Sequence, residues 1–317
     1  MKTNKRKCIF IAGIAFAVST TVIAEPPKAF LSVHDILSCW QKNYGALKSM
    51  KVSYCEKIIS AEPPSADPNI IKTLLPWNHV ERIEEGDSFR VRYSAAKEGF
   101  AKNDSVVEMS FDGVSQKVYF AAEKEGRVYA GLAKRGIGTT NVLKRYLLLH
   151  PYRTSATLKG EGPTFSKLVS MGISDPNFSV VVRSDLEQTS GQMCHVLELV
   201  SSMQSKDKVA IIWVAHEKGM LPLKFQELSN GAIVQETAIE QTDFAKTEAG
   251  GLWFPKKAFT VSNLPNSLGI VRWELSVSEF VPHVKTDQSM FRFDFPNGTH
   301  VLDRALGLDY IVGVEPY

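Results

Sequence analysis

Apolar positions along the chain follow a helical period once and then, almost without a break, the period of strands. Phe30, Val33, Ile36, Leu37, Trp40, Tyr44 and Leu47 recur at intervals of three and four, a single stripe down one helical face. Ser32 followed by Asp35 reads as a capping pair at the start of this helix. The pattern changes to a period of two near Ser49, so a long N-terminal helix is expected to end there.

Beyond that point alternation dominates. In residues 88–94, Phe89, Val91 and Tyr93 fall on one side and Arg90 and Arg92 on the other; Val107, Met109 and Phe111 repeat the pattern and stop at Asp112-Gly113. Further strands are expected at 117–121, 127–132, 179–184, 195–201, 209–215, 222–228, 233–241, 254–261, 270–280 and 290–295. Within 270–280, Val271, Trp273, Leu275 and Val277 alternate with Arg272, Glu274, Ser276 and Ser278. One-sided strands joined at Glu85-Gly86-Asp87, Glu125-Gly126 and Asn230-Gly231 predict an antiparallel sheet with one buried and one wet face. Residues 209–215 are apolar on both faces, which predicts a central strand covered on both sides.

The strand series is interrupted once. Leu143, Tyr146 and Leu147 sit at helical spacing in residues 141–149, which stop at His150-Pro151. Residues 164–171, with Phe165, Leu168 and Val169 apolar, predict a second short helix. Two such helices between two groups of strands read as a lid or plug on the sheet, not as a second domain. The Pro-rich stretch 61–68 reads as a surface loop, since proline cannot continue a strand ladder. The expected class is therefore α+β.

Charge and the first residues alter the expected compartment and partners. Lys2, Lys5, Arg6 and Lys7 precede an uncharged apolar run from Ile9, and Val22-Ile23-Ala24 offers small residues for cleavage before Glu25-Pro26-Pro27. This is the layout of a secretory signal peptide over 1–24, and the run is shorter than the ~20 residues of a membrane-spanning helix. Cys8 precedes the apolar run and is not placed for lipidation. The mature part, 25–317, is expected to be one soluble domain outside the cytoplasm. The chain has 37 basic and 34 acidic residues; the leader holds four basic and no acidic ones, which leaves 33 against 34, a net charge of −1. With no basic field remaining, nucleic-acid binding is not expected.

Little in the sequence points to catalysis. Of seven histidines, His216 is followed by a glutamate but has no partner at metalloprotease spacing, so no metal is expected. There is no GxSxG nucleophile elbow, and residues 131–138 lack the spacing of a phosphate-binding loop. Cys39, Cys55 and Cys194 remain after the leader; Cys39 and Cys55 could bridge the helix to the next strand, or all three could be plain thiols. No CxxC occurs.

Three phrases carry a resemblance. Tyr44-Gly45-Ala46-Leu47-Lys48-Ser49-Met50 closes the first helix, Trp213 precedes Gly219-Met220-Leu221-Pro222, and Gly251-Leu252-Trp253-Phe254-Pro255 opens a later strand. With the order of elements, these phrases resemble the LolA/LolB-like superfamily of bacterial periplasmic proteins over most of residues 30–295. The tail from Phe295 resembles exported relatives more than the lipoprotein carriers themselves. The resemblance implies a strongly curved antiparallel sheet, an unclosed β-barrel, with a long N-terminal helix and short plug or lid helices in its hollow. It also implies a periplasmic, non-enzymatic carrier that needs no cofactor and binds a lipid or acylated protein, with peripheral contact to a membrane. The alternative within the same fold is a regulatory or scaffolding module for an envelope protein partner. The residues expected to line a ligand cavity are Trp40, Phe89, Val91, Tyr93, Met109, Phe111, Trp213 and Trp273, with Leu143, Tyr146 and Leu147 as its gate. Each also has a plain reading as core under the first helix.

Overall fold

A computed structural model describes residues 31–44, 47–62, 79–94, 106–131, 165–202, 207–247, 250–264 and 269–314. The expected leader at 1–24 and the expected helix at 141–149 lie outside the described residues, as does the Pro-rich loop beyond residue 62. Among the described residues no helix is long and apolar enough to cross a membrane.

The long helix expected from 30 to 49 is not present at that length. Helix α1 is Val33–Tyr44, twelve residues, and by Ser49 the backbone is already paired with Glu85 of another strand. Its start is capped as expected: the Asp35 amide donates to Ser32 Oγ at 3.2 Å and the Ser32 amide donates back to Asp35 Oδ2 at 2.8 Å. Helix α2, Phe165–Ser174, matches the second short helix read from the sequence.

The rest is strand. These are β1 (Ser49–Glu62), β2 (His79–Glu85), β3 (Ser88–Ser94), β4 (Val106–Phe111), β5 (Ser115–Phe120), β6 (Glu125–Ala130), β7 (Phe178–Val182), β8 (Glu187–Thr189), β9 (Gln192–Ser201), β10 (Lys208–Ala215), β11 (Leu221–Ser229), β12 (Ala232–Thr247), β13 (Gly250–Leu264), β14 (Gly269–Pro282), β15 (His300–Asp303) and β16 (Leu308–Ile311). They form one unclosed sheet in the order β16-β15-β6-β5-β4-β3-β2-β1-β14-β13-β12-β11-β10-β9-β7, with β8 also paired to β9. The pairings are antiparallel apart from β15, which runs parallel to β6. Two runs of sequential hairpins, β1–β6 and β9–β14, are thus joined through the β1–β14 ladder.

Turn chemistry fixes several of the hairpins. Asn230 and Gly231 have φ of 51° and 76°, the left-handed values a two-residue hairpin loop requires between Ser229 and Ala232. Asp112 Oδ1 accepts from the amides of Val114 and Ser115, closing the β4–β5 turn. Residues 208–215 form β10, whose side chains from Ala210 to Ala215 are all buried, as a strand apolar on both faces must be.

Two local expectations are corrected. Glu125-Gly126 is not a turn but the start of β6, and the turn lies before it at 121–124. Residues 290–295 are not a strand: a short 3-10 turn at Gln288–Phe291 leads into an irregular segment laid over the outer face of β3–β6. The alternation of Phe291, Phe293 and Phe295 mimics a strand. Here, however, the Arg292 carbonyl accepts from Arg90 at 3.3 Å and the Phe293 carbonyl from Lys117 at 3.0 Å, so side chains take the place of a neighbouring ladder. Phe293 and Phe295 meet edge to face at 5.5 Å, and Phe295 lies over Gly126.

That contact gives a test of the strap. A Cβ at Gly126 would stand 2.7 Å from the Phe295 ring, so Gly126→Val should lower the unfolding free energy by about 1–3 kcal/mol. A urea midpoint unchanged from the parent would mean the strap does not pack there.

Candidate functional site

The inner face of the sheet follows from register, because residues directly opposite in a ladder share a face. Phe89, Val91 and Tyr93 of β3 oppose Phe111, Met109 and Val107 of β4. Tyr93 opposes Val80 of β2, Val80 opposes Tyr54 of β1, and Tyr54 opposes Val277 of β14, which shares its side with Trp273. The same line continues from Trp273 to Thr260, Thr237, Phe225 and Ile212. Phe89, Val91, Tyr93, Met109, Phe111 and Trp273, all expected from the sequence, therefore lie on one buried face. Phe89 and Phe111 are 6.3 Å apart between ring centroids.

Trp40 reaches the same core from α1. It is fully buried, and its Nε1 donates to the Met220 carbonyl at 2.5 Å. Asn43, one turn on, donates to the Gly219 carbonyl at 3.2 Å, so α1 is held to the turn between β10 and β11. Gly219 allows that approach: a Cβ there would fall 2.6 Å from Asn43 Nδ2. At the far edge α2 packs on β7 and β9, where a Cβ at Gly172 would meet Val180 at 2.3 Å and Leu199 at 2.4 Å.

Trp213 faces the other way. It neighbours Ile212 on β10 and opposes Lys224 of β11, which places it on the outer face. Its Nε1 donates to Glu187 Oε2 at 2.7 Å and the Lys224 ammonium lies 4.9 Å from its ring centroid. Glu198, bridged by Arg183 and by Lys208 at 2.7 Å, belongs to the same network. Burial opposes the Glu198 charge, but Lys208 and Arg183 overcome it and hold the carboxyl below its usual range. Leu143, Tyr146 and Leu147 lie outside the described residues, so their place relative to this face is not described.

The inner face is not wholly apolar. Arg82 and Glu84 of β2 point into it, Nε and Nη2 of Arg82 each lying 2.8 Å from Glu84 Oε2. The Arg82 guanidinium also lies 5.5 Å from the Phe89 ring centroid. Glu56 of β1, opposite Leu275, is buried on this side too. Pattern reading missed β2 because its sequence, His-Val-Glu-Arg-Ile-Glu-Glu, is inverted: polar Arg82 and Glu84 face inward and Ile83 outward. The signal available was the Glu85-Gly86-Asp87 turn, since a hairpin before 88–94 requires a strand ahead of it.

Cys39, Cys55 and Cys194 are free thiols, so the bridge considered between Cys39 and Cys55 is absent. Burial pushes the Cys194 thiol up to about 11, and raises Cys39 as well. His195 is buried, its Nε2 without a hydrogen-bond partner among the described residues and its ring 5.6 Å from that of His216. Burial first, and His216 second, depress its pKa. No metal-binding cluster of three His, Cys, Asp or Glu side chains occurs among the described residues.

Comparison with solved structures returns distant likenesses. A LolA superfamily protein from Nitrosomonas europaea is similar over 84% of this chain and 100% of its own, at 13% identity and a TM-score of 0.44. A DUF1329 family protein from Desulfovibrio piger is similar over 82% of this chain and 95% of its own, at 10% identity and a TM-score of 0.43. The Mycobacterium tuberculosis lipoprotein LppX is similar over 81% of this chain and 100% of its own, at 9% identity and a TM-score of 0.27. No family profile and no curated protein matches the sequence.

Two predictions follow from the buried charges. Arg82→Met should cost about 3–5 kcal/mol by removing the buried guanidinium beside Glu84, while Arg82→Met with Glu84→Leu should recover most of the loss; equal losses in the single and double variants would refute an inward-facing pair. For His195, the depressed folded pKa means the unfolded chain binds more protons at mildly acidic pH. Its contribution is complete above about pH 6.5 and is lost as pH falls through the folded value. Urea midpoints measured from about pH 7 to about pH 5 should decline, and decline less in His195→Leu.

Proposed function

We propose that this protein is a non-enzymatic binding or carrier protein for an apolar ligand, a lipid or the acyl chain of a lipoprotein, working in the periplasm. The observation that carries the reading is the inner face: a buried apolar surface shared by strands from both hairpin runs, with one set of charged side chains inside it. On this reading the unclosed sheet curls into a half-barrel with α1 and α2 across its hollow. The dimensions favour curling. Fifteen strands in register at roughly 4.8 Å spacing would span about 70 Å if flat, whereas α1, at about 1.5 Å per residue, is only about 18 Å long.

Such an interior is a solvent for hydrocarbon. Burying each methylene contributes about 0.8 kcal/mol, so a chain of about 14 carbons gains roughly 11 kcal/mol on leaving water. Arg82, Glu84 and Glu56 supply the few polar groups that would orient the ligand's head.

A second reading, an envelope module that binds a protein partner, draws on a different observation. The terminal strand β16 is exposed throughout, with Leu308, Tyr310 and Ile311 uncovered and, among the described residues, one ladder edge unpaired. An extended peptide could add to that edge.

Native mass spectrometry of the mature protein, purified without detergent, separates the two. A co-purifying lipid, or uptake of added phospholipid or acylated peptide, is the expected result. An apo mass with no uptake would overturn the carrier reading in favour of the partner-binding one.

A further inference from the structure

A nucleophile, a proton acceptor and an orienting carboxylate meet on the outer face, away from everything assigned above. Cys55 lies on β1 between inward-facing Tyr54 and Glu56, so its side chain points outward, and it is exposed. The Tyr54–Val80 register places it beside His79 of β2, with Sγ 3.6 Å from Nδ1. The other ring nitrogen, Nε2, is 3.4 Å from Glu81 Oε1. Glu81 follows His79 by two positions and so lies on the same face. A carboxylate on Nε2 selects the tautomer that carries its proton there, which leaves the Nδ1 lone pair free to accept from the thiol.

The thiol also opens on a recess. A depression of about 320 Å³ is lined by Cys55, Glu56, Lys57, Glu274 and Ser276. Its floor is the β1–β14 ladder, in which Cys55 opposes Ser276 and Lys57 opposes Glu274. Glu274 is paired with Lys57 at 3.0 Å and with Lys257 of β13 at 3.1 Å, so the wall presents Lys57 and a carboxylate shared between two cations beside the sulfur. The two other described thiols are poor competitors, since burial favours their protonated forms.

We propose that Cys55 is a reactive-thiol site that takes a small zwitterionic disulfide by thiol–disulfide exchange. His79 accepts the Cys55 proton, and the thiolate attacks one sulfur of the disulfide. The Cys55–sulfur bond forms as the ligand's sulfur–sulfur bond breaks. The departing thiolate takes the proton back from His79, so one small disulfide and one thiol become one mixed disulfide and one small thiol. Lys57 receives the carboxylate of the retained half, and Glu274, which it shares with Lys257, receives the ammonium. Cys55 and the apolar inner face lie on opposite sides of the sheet, and Glu56, at the edge of the recess, is the residue the two sites share.

The test uses the reduced mature protein and cystine as the probe, with no lipid present. Intact-mass and peptide mass spectrometry should locate a single half-cystine adduct on Cys55, absent in Cys55→Ser and retained in Cys39→Ser. The initial rate at about pH 7 should fall roughly tenfold in His79→Asn and less in Glu81→Gln. The gap should close near about pH 10, where a thiol ionises unaided. An adduct on Cys39 or Cys194 instead, or a rate and pH profile unchanged in His79→Asn, would overturn the proposal. Glu81 is exposed and His79 half-buried, and circular dichroism matching the parent confirms that the comparison is between folded proteins.

Discussion

The structure depends on one long-range pairing, β1 with β14. These strands are more than 200 residues apart in sequence, yet their ladder runs from Met50 opposite Pro282 to Glu62 opposite Ile270. Everything else in the sheet except β15 on β6 is built from neighbours in sequence, or nearly so. Without that ladder there would be two separate meanders, each with an apolar face and an open edge. With it, the apolar faces become one surface and two long edges disappear. The entropy of closing so large a loop rises only with the logarithm of its length, so one extended ladder is enough to offset it.

The ladder also carries two irregularities that matter for side-chain direction. Register shifts fall between Ser53 and Tyr54 and between Ile58 and Ser60. On β14 the first shift lets Val277, Leu275 and Trp273 share the inner side with Tyr54 and Glu56. Bulges of this kind bend a strand and raise its local twist, which a sheet of this width needs if its inner residues are to be covered by so little helix. The interior ion pair sits one strand away, on β2. Its charges are sealed by Val52 and Met50 on one side and Val91 and Phe89 on the other, the residues opposite Arg82 and Glu84.

The outer face is used differently along its width. Over β3–β6 the strap ending in Phe295 covers it. Over β9–β11 a charged network closes around Trp213. Over β13–β14 charged side chains lie across Phe259, with Arg272 4.4 Å and Lys257 5.1 Å from its ring centroid. Cys55, His79 and Glu81 occupy a partly exposed stretch at β1–β2. A protein that covers both faces of much of its sheet leaves few exposed places for chemistry, and this is one of them.

The sequence by itself determined the strands whose two sides differ in polarity and the turns whose residues demand left-handed backbone. Phe89, Val91 and Tyr93 named their face because arginines fill the alternate positions, and Asn230-Gly231 named its hairpin because its dihedral angles suit few other residues. The cap of α1 at Ser32 and Asp35 was equally local. Only the tertiary structure decided which strands meet, and so which apolar side chains share a face. Trp213 and Trp273 look alike in sequence, but register puts them on opposite sides. β2 escaped notice because its inward residues are charged and satisfied by each other. The 290–295 segment reads as a strand, yet its carbonyls find side chains from Arg90 and Lys117 in place of a partner ladder. Periodicity records what each residue prefers to face; pairing across hundreds of residues decides what is there to be faced.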